Sequence, residues 1–147
     1  MTDLAAPAAG RTHTIAEASA ATGVTIDTLR YYERAGVLPD IGRTGSGQRA
    51  YSDADLDWVV FVRRLRSTGM SMRHIARYTA MVRDGDGTVG QRRRLLEEHR
   101  ATVAGAIEEL TAALDVLDRK IAHYEAAEQG SLLDCDLPRL RHVQDLG

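Results

Sequence analysis

Arginine and tyrosine side chains recur at short spacing in the first third of the chain, and both residue types bind phosphates and base edges. Arg30 and Tyr31 lie in the run TLRYYE, and Arg43 and Arg49 flank a glycine-rich stretch. A guanidinium group forms paired hydrogen bonds with phosphate and with guanine. The chemistry offered by these residues is therefore recognition of a polyanion.

Residues that could break or form bonds, or hold a metal, do not fall into a recognisable pattern. No histidine pairs with another at a spacing of four, and no Ser-His-Asp order, phosphate-binding loop or carboxylate pair stands in a plausible pocket. We therefore predict no enzymatic activity, no metal site and no cofactor. The five histidines are scattered over the chain: His13, His74, His99, His123 and His142.

Cys135 is the single cysteine, which excludes an internal disulfide and fits a reducing compartment. Two interpretations of Cys135 are open. It is either a sensor of electrophiles or metals, or a quiet, partly buried thiol. Its neighbours in LLDCDLP are acidic, whereas reactive thiolates usually have basic neighbours, and soft metals usually require paired thiolates.

A helix, a tight turn and a second helix are predicted to position Arg30 and Tyr31. Thr14 begins the first helix as a cap, and Glu17 stands three residues later, as a capping box requires. Gly23 ends that helix, because glycine readily adopts the left-handed conformation. The second helix begins at Thr25 or Asp27.

A glycine-rich hairpin and two further helices complete the predicted front part of the chain. Residues 42–47 contain three glycines, typical of a hairpin with a flexible tip. A helix is predicted from Asp53 to Ser67, and Ser71 caps the next one. This is the order of parts in a winged helix-turn-helix, in which the second helix enters the DNA major groove and the hairpin contacts the adjacent backbone.

Nine residues are predicted to contact DNA, on the second helix, on the hairpin and at the start of the fourth helix. Most of them have alternatives. Arg30, Arg43 and Arg49 can be solvated side chains, Tyr31 can lie in the core, and Thr28 can take part in capping. Thr25 can act as a cap, Tyr51 can pack beneath the hairpin, and Ser71 can cap its helix or help its amides hold a phosphate. The set is Thr25, Thr28, Arg30, Tyr31, Arg43, Arg49, Tyr51, Ser71 and Arg73.

Charge is unevenly distributed along the chain, although the net charge is only −2. Residues 13–84 contain ten arginines and eight acidic residues, whereas residues 85–147 contain eight basic and twelve acidic residues. The front part is therefore the better candidate for nucleic-acid binding. No apolar run approaches the roughly 20 residues of a membrane span, and no signal peptide is evident. We expect a cytoplasmic protein without a membrane partner.

A heptad pattern follows the Asp84–Gly87 break and predicts a helix from Gln91 to about Glu128. Apolar residues alternate at spacings of three and four, interrupted only by Arg100, as in a coiled coil. A stripe of this length needs a second helix, which a homodimer would supply. The pattern does not decide whether the two helices are parallel or antiparallel. The predicted dimerisation residues are Leu96, Val103, Ile107, Leu110, Leu114, Leu117, Ile121 and Tyr124.

The motifs TIAEASAATGV, TLRYYERAGVL and RTGSGQRAYS, followed by the long helix, resemble the MerR family of bacterial transcription regulators. The resemblance covers about residues 14–128, and Gln48 departs from it where the family usually has an aromatic residue. It implies an antiparallel coiled coil that joins two winged domains on a near-palindromic operator. It also implies distortion of promoter DNA for RNA polymerase. Within the family, the long helix is most similar to the aldehyde- and electrophile-responsive branch, but Ser52 and Asp53 stand where that branch usually has its cysteine.

We therefore expect a mainly α protein: a winged helix-turn-helix DNA-binding domain followed by a long antiparallel coiled-coil dimerisation helix. The predicted divisions are a disordered tail at 1–12, the DNA-binding domain at 13–84, the dimerisation helix at 85–129 and a short tail at 130–147. The expected function is sequence-specific transcription regulation by a homodimer that distorts promoter DNA, and the sequence leaves open whether an unknown small-molecule effector also binds. The alternative is an architectural or excision-type DNA-binding protein without an effector response.

Overall fold

The computed structural model describes residues 10–130, and this part of the chain is mainly helical, as predicted. It divides into two compact units, between Ala101 and Thr102. A short 3-10 turn, Asp86–Thr88, precedes the last helix. The elements are α1 (Ile15–Thr22), α2 (Ile26–Arg34), β1 (Gly42–Arg43), β2 (Arg49–Ala50), α3 (Asp53–Ser67), α4 (Met72–Arg83) and α5 (Val89–Glu128).

The capping box predicted at the start of α1 is present. The Glu17 amide donates to the Thr14 hydroxyl at 3.1 Å, and the Thr14 amide donates to the Glu17 carboxylate at 3.1 Å. Because the ionised carboxylate accepts this hydrogen bond, the pKa of Glu17 is lowered from its ordinary value. The box fixes the point at which the chain enters the helix-turn-helix.

The turn between α1 and α2 requires glycine at position 23. Gly23 has φ 72°, a left-handed conformation that L side chains rarely adopt. A Cβ atom there would also lie 3.0 Å from the Arg63 guanidinium. Arg63 donates from Nη1 to the Thr22 carbonyl at 2.9 Å, so an α3 side chain satisfies a carbonyl at the end of α1.

The core of the first unit lies between α1, α2, α3 and α4. Each helix buries residues at helical spacing, including Leu29 and Tyr32 of α2. Val37 anchors the connection from α2 to the strands, because its carbonyl accepts from Trp58 Nε1 at 2.9 Å and from Thr79 Oγ1 at 3.1 Å. The buried cluster comprises Ala18, Val24, Leu29, Tyr32, Val37, Leu38, Tyr51, Val59, Val62, Leu65, Met70 and Ile75.

The β-hairpin, which we call the wing, is formed by β1, β2 and the turn between them. The strands are antiparallel and place Arg43 opposite Arg49. The segment before α1 also pairs with the chain next to β2. His13 and Tyr51 exchange backbone hydrogen bonds of 2.7 and 2.8 Å, and His13 Nε2 lies 2.7 Å from an Asp53 carboxylate oxygen. The sequence did not predict this link between the chain before α1 and the wing.

The start of α5, up to Ala101, belongs to the first unit and packs on its core. Leu95 and Leu96 are partly buried against its core, and the Thr68 hydroxyl lies 2.7 Å from His99 Nε2. Leu96 is thus partly buried within its own subunit, and its part in the dimer seam stays a prediction. The compact first unit thus extends about four helical turns into α5, beyond the predicted division at residue 85.

Residues 131–147, and Cys135 with them, lie outside the described part of the chain, so both readings of Cys135 stay predictions. Within residues 10–130, no helix combines the length and the apolar composition needed to cross a bilayer.

Candidate nucleic-acid interface

The outer face of α2 presents the arginine and tyrosine side chains that the sequence singled out. Since successive residues are about 100° apart around a helix, burial of Leu29 and Tyr32 turns Arg30 and Tyr31 outward. Arg30 is exposed, and Tyr31 is 48% exposed. The rings of Tyr31 and Tyr32 are tilted against each other, with their centroids 6.4 Å apart. Both side chains are therefore free to reach a ligand.

A groove of about 710 Å³ runs between α2 and the wing. It brings together two arginines of α2, Arg30 and Arg34, and Arg49 of β2, so the groove is basic. The predicted contact residues Arg30 and Arg49 line this groove, whereas the other seven do not. Its lining residues are Thr14, Ile15, Arg30, Glu33, Arg34, Gly47, Gln48 and Arg49.

An ion pair fixes the wing to α2. Arg49 Nε lies 2.6 Å from a Glu33 carboxylate oxygen, and both side chains are less than one-third exposed. Arg43 stands directly opposite Arg49 across the hairpin, where two like charges would repel. Glu33 offsets the charge of Arg49, so Arg49 acts first as a wing-fixing residue.

Arg43 differs from Arg49 in its surroundings. Its side chain is exposed, and its Nη1 donates to the Gly47 carbonyl at 2.8 Å across the wing turn. Within residues 10–130, Arg43 forms no ion pair with a carboxylate. Its positive charge is therefore available to a phosphate.

Tyr51, predicted to contact DNA or to pack beneath the wing, is fully buried. Its hydroxyl has no hydrogen-bond partner among the described residues, and burial raises the pKa of the phenol above its ordinary value. The structure thus selects the packing alternative and removes Tyr51 from the surface that can contact DNA.

The hydroxyl groups predicted near the helix starts serve as caps. The Thr25 hydroxyl accepts from the Thr28 amide at 3.2 Å and donates to the Thr28 hydroxyl at 2.8 Å. The Ser71 hydroxyl accepts from the His74 amide at 3.2 Å. Arg73 is exposed on the first turn of α4. DNA contacts by Thr28, Ser71 and Arg73 stay predictions.

Two charged residues of the groove were not among the predicted contact residues. Arg34 lies four residues after Arg30, a spacing that places both on one helix face, so the pattern could have revealed it. The second residue is Glu33. Its pairing with Arg49 joins elements 16 residues apart, and no local pattern indicates it.

A helix-turn-helix, a β-wing and a basic groove between them define a winged helix-turn-helix DNA-binding protein. The chain belongs to the MerR family. Residues 13–82 match the family model described as MerR HTH family regulatory protein, and residues 56–128 match the model described as MerR, DNA binding. The chain is therefore a MerR-type, DNA-binding transcription regulator.

Several relatives resemble it over most of their length. An uncharacterized HTH-type transcriptional regulator of Haemophilus influenzae is 37% identical over 130 residues, which span 88% of this chain and 96% of the relative. The HTH-type transcriptional regulator AdhR of Bacillus subtilis is 38% identical, over 58% of this chain and 61% of its own. Among solved structures, the chain is similar to HiNmlR, described as a MerR family regulator lacking the sensor domain, in a crystal structure bound to promoter DNA. The sequence identity is 38% and the TM-score is 0.74. That match covers 82% of this chain and 96% of HiNmlR.

The two wing arginines are expected to differ in how they affect the salt dependence of DNA binding. Arg43→Gln should reduce the slope of log affinity against log salt concentration by about one, because one phosphate loses its neutralising charge. Arg49→Gln combined with Glu33→Gln is the matched comparison and should leave the slope nearly unchanged, since it removes an ion pair that carries no net charge. Fluorescence anisotropy over a salt series measures both slopes, and equal slope changes would contradict this distinction.

Proposed function

We propose that the chain acts as a homodimer whose α5 helices form an antiparallel coiled coil. The observation that supports this most directly is the apolar stripe of α5 in the second unit, where Ile107 is 58% exposed, Leu110 67% and Leu114 59%. Leu117, Ile121 and Tyr124 continue it at spacings of three and four, each about half exposed. We call this surface, with Val103, the α5 stripe.

Burial of the α5 stripe would supply the free energy of association. Fully burying one leucine or isoleucine side chain is worth about 1.5–3 kcal/mol, and two copies of the stripe would contribute together. The alternation of three and four residues is the spacing that places knobs into the holes of a facing helix. An exposed apolar surface of this regularity is best explained by a second copy of itself.

Two winged heads on one dimer would read a near-palindromic operator, because the symmetry of the protein is matched by the symmetry of the site. HiNmlR is bound to promoter DNA, and we extend this to the present chain. Each head would place α2 in the major groove, with Arg30 and Arg34 towards the DNA and the wing on the adjacent backbone. Family membership supports distortion of the promoter as the route by which RNA polymerase is affected.

The proposal is tested by sedimentation and by transcription with purified components. We expect a dimer at micromolar concentration that binds one duplex, bends it and changes the transcript yield of purified RNA polymerase from that promoter. A dimer that binds and bends DNA but leaves transcription unchanged at every bound promoter would instead favour the architectural alternative. A monomer would contradict the proposal. The transcription assay, repeated with candidate small molecules, would identify an effector that changes the transcript yield. We propose a cytoplasmic location for the regulator.

A further inference from the structure

A polar cavity of about 400 Å³ lies between α4 and the beginning of α5, entirely within the first unit. α4 contributes His74, Arg77 and Met81, whose spacing of three and four residues places them on one face of the helix. The opposite wall comes from residues 91–98 of α5. Met81 is buried and Leu95 is partly buried, so part of the lining is apolar. We call this site the α4–α5 cavity, and its volume is in the range of small-molecule sites.

Two arginines bring positive charge to the α4–α5 cavity, one from each helix. Arg77 and Arg94 are exposed, and among the described residues neither forms an ion pair with a carboxylate. The two arginines that precede Arg94 have other partners. Arg92 donates to a backbone carbonyl at 3.4 Å, and Arg93 Nε lies 3.5 Å from a Glu97 carboxylate oxygen. Arg94 therefore differs from its neighbours, because it brings an unpaired guanidinium group to the cavity.

Three further side chains of the cavity can form hydrogen bonds. His74 Nδ1 lies 2.9 Å from the Ser71 hydroxyl oxygen, and this contact holds the ring. When the hydroxyl donates to Nδ1, Nε2 carries the ring proton and can donate to a ligand. Gln91 offers amide donors, and Glu98 places one carboxylate in a lining that also contains two guanidinium groups. The lining therefore suits a guest with several anionic oxygens and a hydroxyl group.

We propose that the α4–α5 cavity binds a small polyanion, of the class of phosphorylated or polycarboxylated metabolites. Arg77 and Arg94 each present a planar fork that pairs with two oxygens of a phosphate or a carboxylate. Because they belong to different helices, a ligand with two anionic groups engages both of them together. His74 and Gln91 donate to its remaining oxygens, and Glu98 accepts from a ligand hydroxyl group.

The position of the cavity gives such a ligand a role in regulation. α4 begins beside Ser71 and Arg73, two of the predicted DNA contacts, and α5 carries the α5 stripe. A ligand held by Arg77 and Arg94 ties α4 to the start of α5, and it therefore favours the arrangement of these two helices in which both arginines reach it. The role as an effector site rests on the proposed function, whereas binding itself does not.

Binding is tested with the full chain in the absence of DNA and polymerase, so a negative result would leave the proposed function untouched. Inorganic pyrophosphate and citrate are the probes, one for phosphate and one for carboxylate groups, at an ionic strength held constant with sodium chloride. We expect at least one of them to cause saturable shifts of the amide signals of residues 74–81 and 91–98. Arg77→Gln and Arg94→Gln should each weaken this binding by about tenfold or more, because a charge-assisted pair is lost.

Arg73→Gln and Arg93→Gln are the matched controls. Each removes an exposed arginine from the same helix as its counterpart, and neither residue lines the cavity, so the affinity for the probe should stay nearly unchanged. Shifts that do not saturate, or that weaken equally in the controls, would show only a general attraction of anions to basic side chains. Either result would overturn the proposal, as would shifts confined to α2 and the wing, or no shifts with either probe.

Discussion

Replacing Leu114 by aspartate is expected to convert the proposed homodimer into monomers and to abolish high-affinity operator binding. The α5 stripe runs from residue 103 to residue 124, so in a fully overlapping antiparallel pair Leu114 lies near the two-fold axis, where the two copies meet. Burying unpaired carboxylates there costs on the order of 4 kcal/mol or more, about a thousandfold in the dimer dissociation constant. Sedimentation equilibrium measures the loss of the dimer.

Ala112→Asp is the matched control for this substitution. Ala112 is exposed and lies two residues from Leu114, on the opposite side of α5. The variant carries the same new charge but should remain dimeric and bind DNA normally. If Leu114→Asp also stayed dimeric, the α5 stripe would not be the dimer interface. Circular dichroism of both variants would show whether α5 remains helical.

Replacing Arg30 by alanine is expected to weaken operator binding by about 1–3 kcal/mol per head, or roughly 5- to 150-fold. Arg30 lies on the exposed face of α2 and lines the groove with Arg34 and Arg49. A guanidinium group there can contact phosphate and a base edge together, so its loss should reduce both affinity and discrimination between operator and non-operator DNA. Competition binding with the two kinds of DNA measures both effects.

Two further variants show which property of Arg30 is used. Arg30→Lys keeps the charge but not the planar fork, so it should retain most of the salt dependence and lose discrimination. Arg119→Ala removes an equal charge from the second unit, where Arg119 is paired with Asp115, and should leave operator binding unchanged. Unaltered affinity in Arg30→Ala would exclude this side chain from the interface.

The helices could be predicted closely because their signals are local. α3 was predicted from Asp53 to Ser67 and has these bounds, since a capping residue and a following glycine mark its two ends. The long helix was predicted from Gln91 and begins two residues earlier, at Val89. Such signals depend on neighbours within one helical turn, which are already fixed by the order of residues.

The candidate site was predicted only in part, because exposure and pairing depend on distant residues. Tyr31, predicted to reach DNA, is exposed, since α2 has one buried face and the spacing in LRYYE turns Tyr31 away from it. The sequence did not show that, within residues 10–130, Arg49 is paired with a carboxylate and Arg43 is not. It also did not decide whether Tyr51 contacts DNA or packs beneath the wing. Those outcomes required the wing to be folded against α2.

The sequence by itself determined the order of the elements, the membership of the MerR family and the apolar stripe of α5, because each is encoded in short-range spacing of residue types. Only the tertiary structure decided which charges stay available to DNA. Arg49 meets Glu33 across 16 residues, and Arg63 meets the Thr22 carbonyl across 41. A charged side chain takes the partner that folding brings within about 3 Å of it, and that choice is made between elements far apart in the chain.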